Sequence, residues 1–159
     1  MANDQFTASV NGYWIGDMAD AIDILSSGLS VARMRVNILA SNMANAETTR
    51  SPDGGPYRRR DMVQLAKPIK ASFSNVLDQM TLAKPVVESV KEDQSEPRKV
   101  YQPGHPDADK EGFVSYPNIN VVTTMTDLMS ATRLYQANVT VLEAARDMGR
   151  AASRISIRF

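Results

Sequence analysis

The chain contains no cysteine, which removes disulfides, thiolate metal sites and cysteine nucleophiles together and leaves the redox compartment open. Histidine is nearly as scarce. The single His105 sits between Pro103-Gly104 and Pro106. One imidazole builds no two-histidine metal site, and nothing nearby resembles a Ser-His-Asp arrangement, so it reads as a structural loop residue. Net charge is missing as well: 18 basic side chains balance 18 acidic ones, so charge alone points to neither nucleic acid nor a membrane surface. No run approaches the roughly 18 apolar residues of a membrane span. The opening Met-Ala-Asn-Asp-Gln-Phe has neither a basic n-region nor an apolar h-region. The expectation is a chain without a cleavable secretory signal, which leaves the cytoplasm, if it does, by a route that reads none.

What the chain does have is apolar periodicity at both ends. Its 159 residues suit one domain with a modest core. Met18, Ile22, Leu25, Leu29, Ala32, Val36, Leu39, Met43 and Ala46 recur at alternating spacings of four and three. Val121, Met125, Leu128, Thr132, Tyr135, Val139 and Leu142 do the same near the C-terminus. That period belongs to a coiled-coil seam, in which every knob needs a facing helix. After Leu142 the apolar positions become Ala145, Met148, Ala152, Ile155 and Phe159. A three-residue step of this kind reads as a stammer, which overwinds the coil or hands the helix to a second partner.

These patterns divide the chain into four segments. Residues 1–16, with Gly12, Gly16 and the cluster Tyr13-Trp14-Ile15, read as a flexible leader. Residues 17–49 hold an N-terminal coiled-coil helix from about Asp17 to Ala46, with Asp17, Asp20 and Asp23 near the positive end of its dipole. Residues 50–117 contain all eight prolines and read as a β-containing middle region. Strands are predicted over Tyr57–Leu65 and, weakly, Val86–Val90, with Lys99–Gln102 pairing Gly112–Tyr116 across a loop. Residues 118–159 hold a C-terminal coiled-coil helix from about Val122 to Arg158, opened by Asn118, Asn120, Thr123 and Thr124. The expected fold is mainly α with a small β-rich middle, its long terminal helices forming an antiparallel coiled coil. Arg146, Arg150, Arg154 and Arg158 form a row at four-residue spacing. Antiparallel pairing lays this row beside Asp17, Asp20 and Asp23; a solvated basic face is the other reading.

Little of the remaining chemistry survives inspection. Asp107-Ala108-Asp109-Lys110-Glu111-Gly112 begins like a calcium loop, but Asn118 stands where the bidentate glutamate belongs. A turn is expected there, and no metal, cofactor or catalytic residue is assigned. Arg50 with Arg58, Arg59 and Arg60 makes a basic cluster that either meets an acidic surface or simply discourages strand-edge pairing. Asn37, Asn42 and Asn45 lie on or beside the N-terminal seam, where amides fix register at a cost in stability. The candidate assembly interface therefore comprises Leu25, Leu29, Val36, Asn37, Leu39, Asn42, Met43 and Asn45 on the first helix. On the second it comprises Met125, Leu128, Tyr135, Asn138, Val139, Leu142, Met148 and Ile155.

Ser27-Gly28-Leu29 and the stretch from Asn37 to Thr49, Asn-Ile-Leu-Ala-Ser-Asn-Met-Ala-Asn-Ala-Glu-Thr-Thr, resemble the N-terminal signature of flagellar axial proteins. Gly55-Pro56-Tyr57-Arg58-Arg59-Arg60, Tyr101 to Asp109, Gly112-Phe113-Val114, Pro117 to Val122 with Met125, and Ser130 to Val139 narrow the resemblance to the C-type proximal rod proteins of the basal body. The resemblance covers about Ser27 to Met148; the leader before Asp17 is longer than the family usually carries. It implies a non-catalytic structural subunit, exported unfolded through the flagellar type III apparatus into the periplasm and packed helically into a torque-bearing shaft. Implied partners are other copies, other proximal and distal rod proteins, the ring-to-rod junction protein and the export apparatus. Nucleic acid and membrane insertion are not among them. Another short proximal rod protein is the alternative within the family, though it would lack the Tyr101–Pro106 segment; a free-standing secreted helical adaptor is the alternative outside it.

A lone chain has few ways to bury both apolar stripes of its second helix. The terminal helices are therefore expected to order fully only on incorporation. Limited proteolysis of dilute monomer should clip both ends and spare part of the middle, and uniform resistance would contradict this.

Overall fold

A computed structural model describes residues 3–52, 54–69 and 83–156, with side chains from Asp20 to Arg154 within those ranges. The element order is α1 (Asn3–Ala44), β1 (Arg60–Pro68), β2 (Ala83–Glu92), β3 (Arg98–Tyr101), β4 (Phe113–Tyr116) and α2 (Val121–Ser156). The two long helices are in contact, with small antiparallel hairpins between them in sequence. Gly28 lies against Asn138, whereas Arg35, Ile38 and Leu39 share a groove with Asp127.

Chain contacts group residues 1–31, 65–86 and 134–159 into one unit and residues 32–64 and 87–133 into another. In the first, Val31 and Leu142 are buried, and Lys84 at the start of β2 pairs with Asp23 of α1 at 2.7 Å. In the second, Ala32, Ala46, Val114 and Ala131 are buried with the polar Asn42 and Thr124. Most of these side chains are small.

α1 begins at Asn3, well ahead of the expected start at Asp17. Gly12 and Gly16 each cost about 1 kcal/mol in a helix, but the segment has no proline to stop one. The side chains of Tyr13 and Trp14 lie outside the described residues. At its other end α1 closes with Asn45 N–H on the Ser41 carbonyl and Ala46 N–H on that of Met43. Gly54 and Gly55, with φ of 87° and 78°, then reverse the chain. The start of α2 is capped as its polar opening suggests: Asn120 Oδ1 accepts from Thr123 N–H at 3.1 Å.

Strand boundaries differ from expectation. β1 begins at Arg60 rather than Tyr57, because the Tyr57 ring turns back onto α1. β2 is longer than Val86–Val90 and includes Pro85, which a two-stranded ribbon tolerates because each strand has a free edge. β3 and β4 pair antiparallel as expected, with Val100 opposite Val114 and Tyr101 opposite Phe113. Val114 is fully buried, and the Tyr101 and Phe113 rings meet edge to face at 5.4 Å.

Gly112 makes this hairpin possible. Its φ is 84°, and a Cβ there would sit 2.8 Å from the Tyr101 ring and 3.3 Å from Pro103. Gly112→Ala combines left-handed strain with a clash and should destabilise the protein by about 1–3 kcal/mol, read as a lower urea midpoint with unchanged helix content.

Candidate assembly surface

The C-terminal turns of α1 and the start of β1 meet through one amide. Asn42 is 2% exposed. Its Oδ1 accepts from Arg60 N–H at 2.9 Å and from the Tyr57 hydroxyl at 3.1 Å, and its Nδ2 donates to the Arg60 carbonyl at 2.8 Å. The side chain thus satisfies both backbone groups of Arg60 as a neighbouring strand would. Only a carboxamide offers donor and acceptor in this fork without charge. Asn45 is occupied locally, donating to the Ser41 carbonyl at 2.9 Å and accepting from the Thr48 hydroxyl at 3.2 Å.

Each arginine of the basic cluster has a partner within the chain, and three of the four meet a carboxylate. Arg60 pairs with Glu92 at 3.2 Å and lies over the Tyr57 ring. Arg59 meets Asp61 and Asp93, Arg58 donates to Gln94, and Arg50 pairs with Asp107 at 2.6 Å. The Ser95 backbone N–H and hydroxyl hold the Asp93 carboxyl below the usual carboxylate range, with Arg59 and Arg58 adding to the effect. A depressed carboxylate stabilises the fold above its unfolded pKa, and that contribution fades as pH falls through the folded one.

The calcium-like stretch is a turn. Asp107 is taken up by Arg50 and by the Thr49 hydroxyl at 2.8 Å. Asp109 Oδ1 accepts from the backbone N–H groups of Glu111 and Phe113. His105 Nδ1 accepts from Asp107 N–H at 3.1 Å, and its ring lies edge-on to Tyr116. Asp109 therefore holds its own loop, and Asp107 ties that loop to the segment after α1.

The candidate interface residues separate by exposure. Leu25, Leu29, Tyr135, Asn138 and Val139 are half-buried in the first unit, where Leu142 is buried and Met148 is 62% exposed. Gly28 marks close approach of the helices: a Cβ there would lie 3.9 Å from Asn138 Nδ2, so the space accepts a methyl group. In the second unit Val36, Leu39, Met43, Asn45 and Leu128 are half-buried, Asn42 is buried, and Asn37 and Met125 are exposed. The Ile155 side chain lies outside the described residues. Sequence periodicity missed the exposed Val122 and Met129, which flank Met125 on one face of α2. Their spacing of three and four from Met125 was the available signal.

Two expectations about α2 are corrected. Its inner seam continues past Leu142 through the half-buried Ala145 and Gly149, so the helix makes no stammer there. The arginine row does not pair with the acidic start of α1 among the described residues. Asp23 is held by Lys84, and Arg150 pairs with Asp147 on its own helix at 3.6 Å. Asp17 and Arg158 fall outside the described side chains.

Residues 22–50 match the family of flagella basal body rod proteins, and residues 110–155 match the C-terminal family of flagellar basal body rod FlgEFG proteins. The chain is 38% identical to the flagellar basal-body rod protein FlgC of Borreliella burgdorferi over 144 residues, covering 85% of this chain and 95% of that protein. It is 37% identical to the FlgC of Escherichia coli O6:H1 over 131 residues, covering 82% and 92% respectively. For the FlgC of Bacillus subtilis the identity is 38% over 138 residues, covering 80% and 91%.

Asn42→Ala leaves the Arg60 N–H and the Arg60 carbonyl unpaired and leaves the Tyr57 hydroxyl only the Ser41 hydroxyl at 3.3 Å. It should lower stability by about 2–3 kcal/mol. Tyr57→Phe should cost about 1 kcal/mol, and equal losses in urea denaturation would contradict the central place of the amide.

Proposed function

The chain belongs to the FlgC family of flagellar basal-body rod proteins, and on that premise we propose that it is a structural subunit of the proximal rod, assembling helically and transmitting torque. The observation that carries this reading is end-to-end likeness: at least 91% of the length of each of the three relatives described above is matched. Family membership also makes the role structural rather than enzymatic.

The arrangement of side chains supports a load-bearing part. Helix α1 and strand β1 are joined by hydrogen bonds, and Arg50, Arg59 and Arg60 beside them are paired with carboxylates. Apolar side chains at Val122, Met125, Met129 and Met148 remain open for neighbours. The proposed neighbours are other copies, other proximal and distal rod proteins and the ring-to-rod junction protein. Export is proposed to proceed through the flagellar type III apparatus, without a cleavable signal, to a site in the periplasm. No described helix is long and apolar enough to cross a membrane.

Peptide mass spectrometry of purified hook–basal bodies, stripped of soluble protein, tests the proposal. A few copies of this chain per ring assembly are expected, with loss of motility when its gene is deleted. Absence of the chain while other rod proteins are present would favour a secreted helical adaptor.

A further inference from the structure

The chain has nine methionines and no cysteine, so a thioether is the only sulfur an oxidant can meet. The fold sorts these thioethers by access. Met43 on α1 and Met62 on β1 are half-buried, and Met62 lines a groove with Ile38 and Leu39. Met125 and Met129 lie one turn apart on α2 and leave 52% and 51% of their surface open. Val121 and Val122, one turn earlier on the same side, are exposed as well. The two sulfurs therefore sit in one apolar face over the opening turns of α2. Met34 and Met148 are also exposed, but neither has a second methionine one turn away.

We propose that Met125 and Met129 form an oxidant-sensitive modification site, where a two-electron oxidant such as hypochlorous acid converts both thioethers to sulfoxides and keeps the chain out of the rod. The inference rests on the rod-subunit reading above and adds a means of regulating that subunit. At each site the thioether sulfur gives two electrons to the chlorine of hypochlorous acid, which leaves as chloride. The oxygen of the acid ends on sulfur as the sulfoxide, and its proton passes to water. The product is reversible: methionine sulfoxide reductases, one for each sulfoxide epimer, restore the thioether.

Position decides what oxidation does. The oxidant must reach a sulfur lone pair, and water must solvate the S–O dipole as it forms; both conditions hold at Met125 and Met129 and only partly at Met43 and Met62. On the inner side of the same turns Thr124 and Ala131 stay buried, and Asn120 still caps the helix, so α2 keeps its fold. The outer face changes character instead. A methionine is soft and apolar and adapts to whatever packs on it. A sulfoxide is a strong acceptor with no donor of its own, and covering it without a hydrogen bond is unfavourable. Two such groups one turn apart leave no apolar route across the face between Val122 and Met129.

A sub-stoichiometric pulse of hypochlorous acid on purified full-length protein, followed by peptide mass spectrometry, reads the order of oxidation. Met125 and Met129 should each gain one oxygen at least about fivefold faster than Met43 and Met62, with helix content unchanged. Equal rates at all four would overturn the site. The consequence is read in cells that make the wild-type chain together with a Met125→Leu, Met129→Leu form, so that both meet the same oxidant and the same partners. A pulse should lower the ratio of wild-type to variant chain newly built into basal bodies at least about threefold relative to the ratio without it. An unchanged ratio would overturn the regulation. A Met125→Gln, Met129→Gln form supplies the polarity without the oxidant. With wild-type helix content, it should enter basal bodies at least about threefold less than the wild type, and equal entry would overturn the inference even if the leucine form does not fold. Absence of the wild-type chain from basal bodies, with or without oxidant, would sink the rod-subunit reading instead, and the order of oxidation in purified protein would still decide the site.

Discussion

One buried carboxamide sets the junction between helix and strand. The Asn42 side chain lies on the last full turns of α1 and bonds the backbone N–H and carbonyl of Arg60, where β1 begins. Neither backbone group has a strand partner on that side, and an unpaired one away from water costs about 1–3 kcal/mol. The amide removes that cost and thereby fixes where β1 starts. The Tyr57 hydroxyl adds a third bond to the same amide, so the connecting turn is held at its far end as well as at Gly54 and Gly55.

Charge follows the same economy. Every arginine of the cluster at positions 50 and 58–60 meets a carboxylate or amide of the same unit. Each such exposed pair contributes only about 0.2–1 kcal/mol; their larger effect is to leave no concentrated basic patch. The apolar side chains behave in the opposite way. Small residues fill the interior, and several of the larger ones on α2 face outward. That distribution suits a chain completed by its neighbours more than one completed by itself.

The sequence was most readable where order is local. Heptad spacing located both helices and the inner seam, Asn120 announced the start of α2, and Gly112 with its flanking strands announced a hairpin. Long-range pairing was less accessible. Asn42 stood out as a polar residue on a seam, but its partners at Tyr57 and Arg60 could not be inferred from spacing. β1 and β2 lack clean alternation because both faces of a two-stranded ribbon meet solvent, so their limits shifted. The step after Leu142 looked like a phase change because only one seam was followed. Exposure shows two seams overlapping from Leu134 onward, and Met148 belongs to the outer one. The arginine row reads from sequence as lying beside Asp17, Asp20 and Asp23 or as a solvated face, and the Lys84 partner of Asp23, brought by β2, was not visible in spacing.

The choice of a carboxamide at position 42 has an environmental consequence. An amide has no proton to gain or lose over the ordinary pH range and no net charge for ions to shield. With no cysteine in the chain, no thiol oxidation reaches the joint either. The surface ion pairs soften in brine or acid, but the helix–strand joint keeps its bonds through such changes. A component held this way carries the same internal geometry from one chemical surrounding to another, and only its outer contacts register the difference.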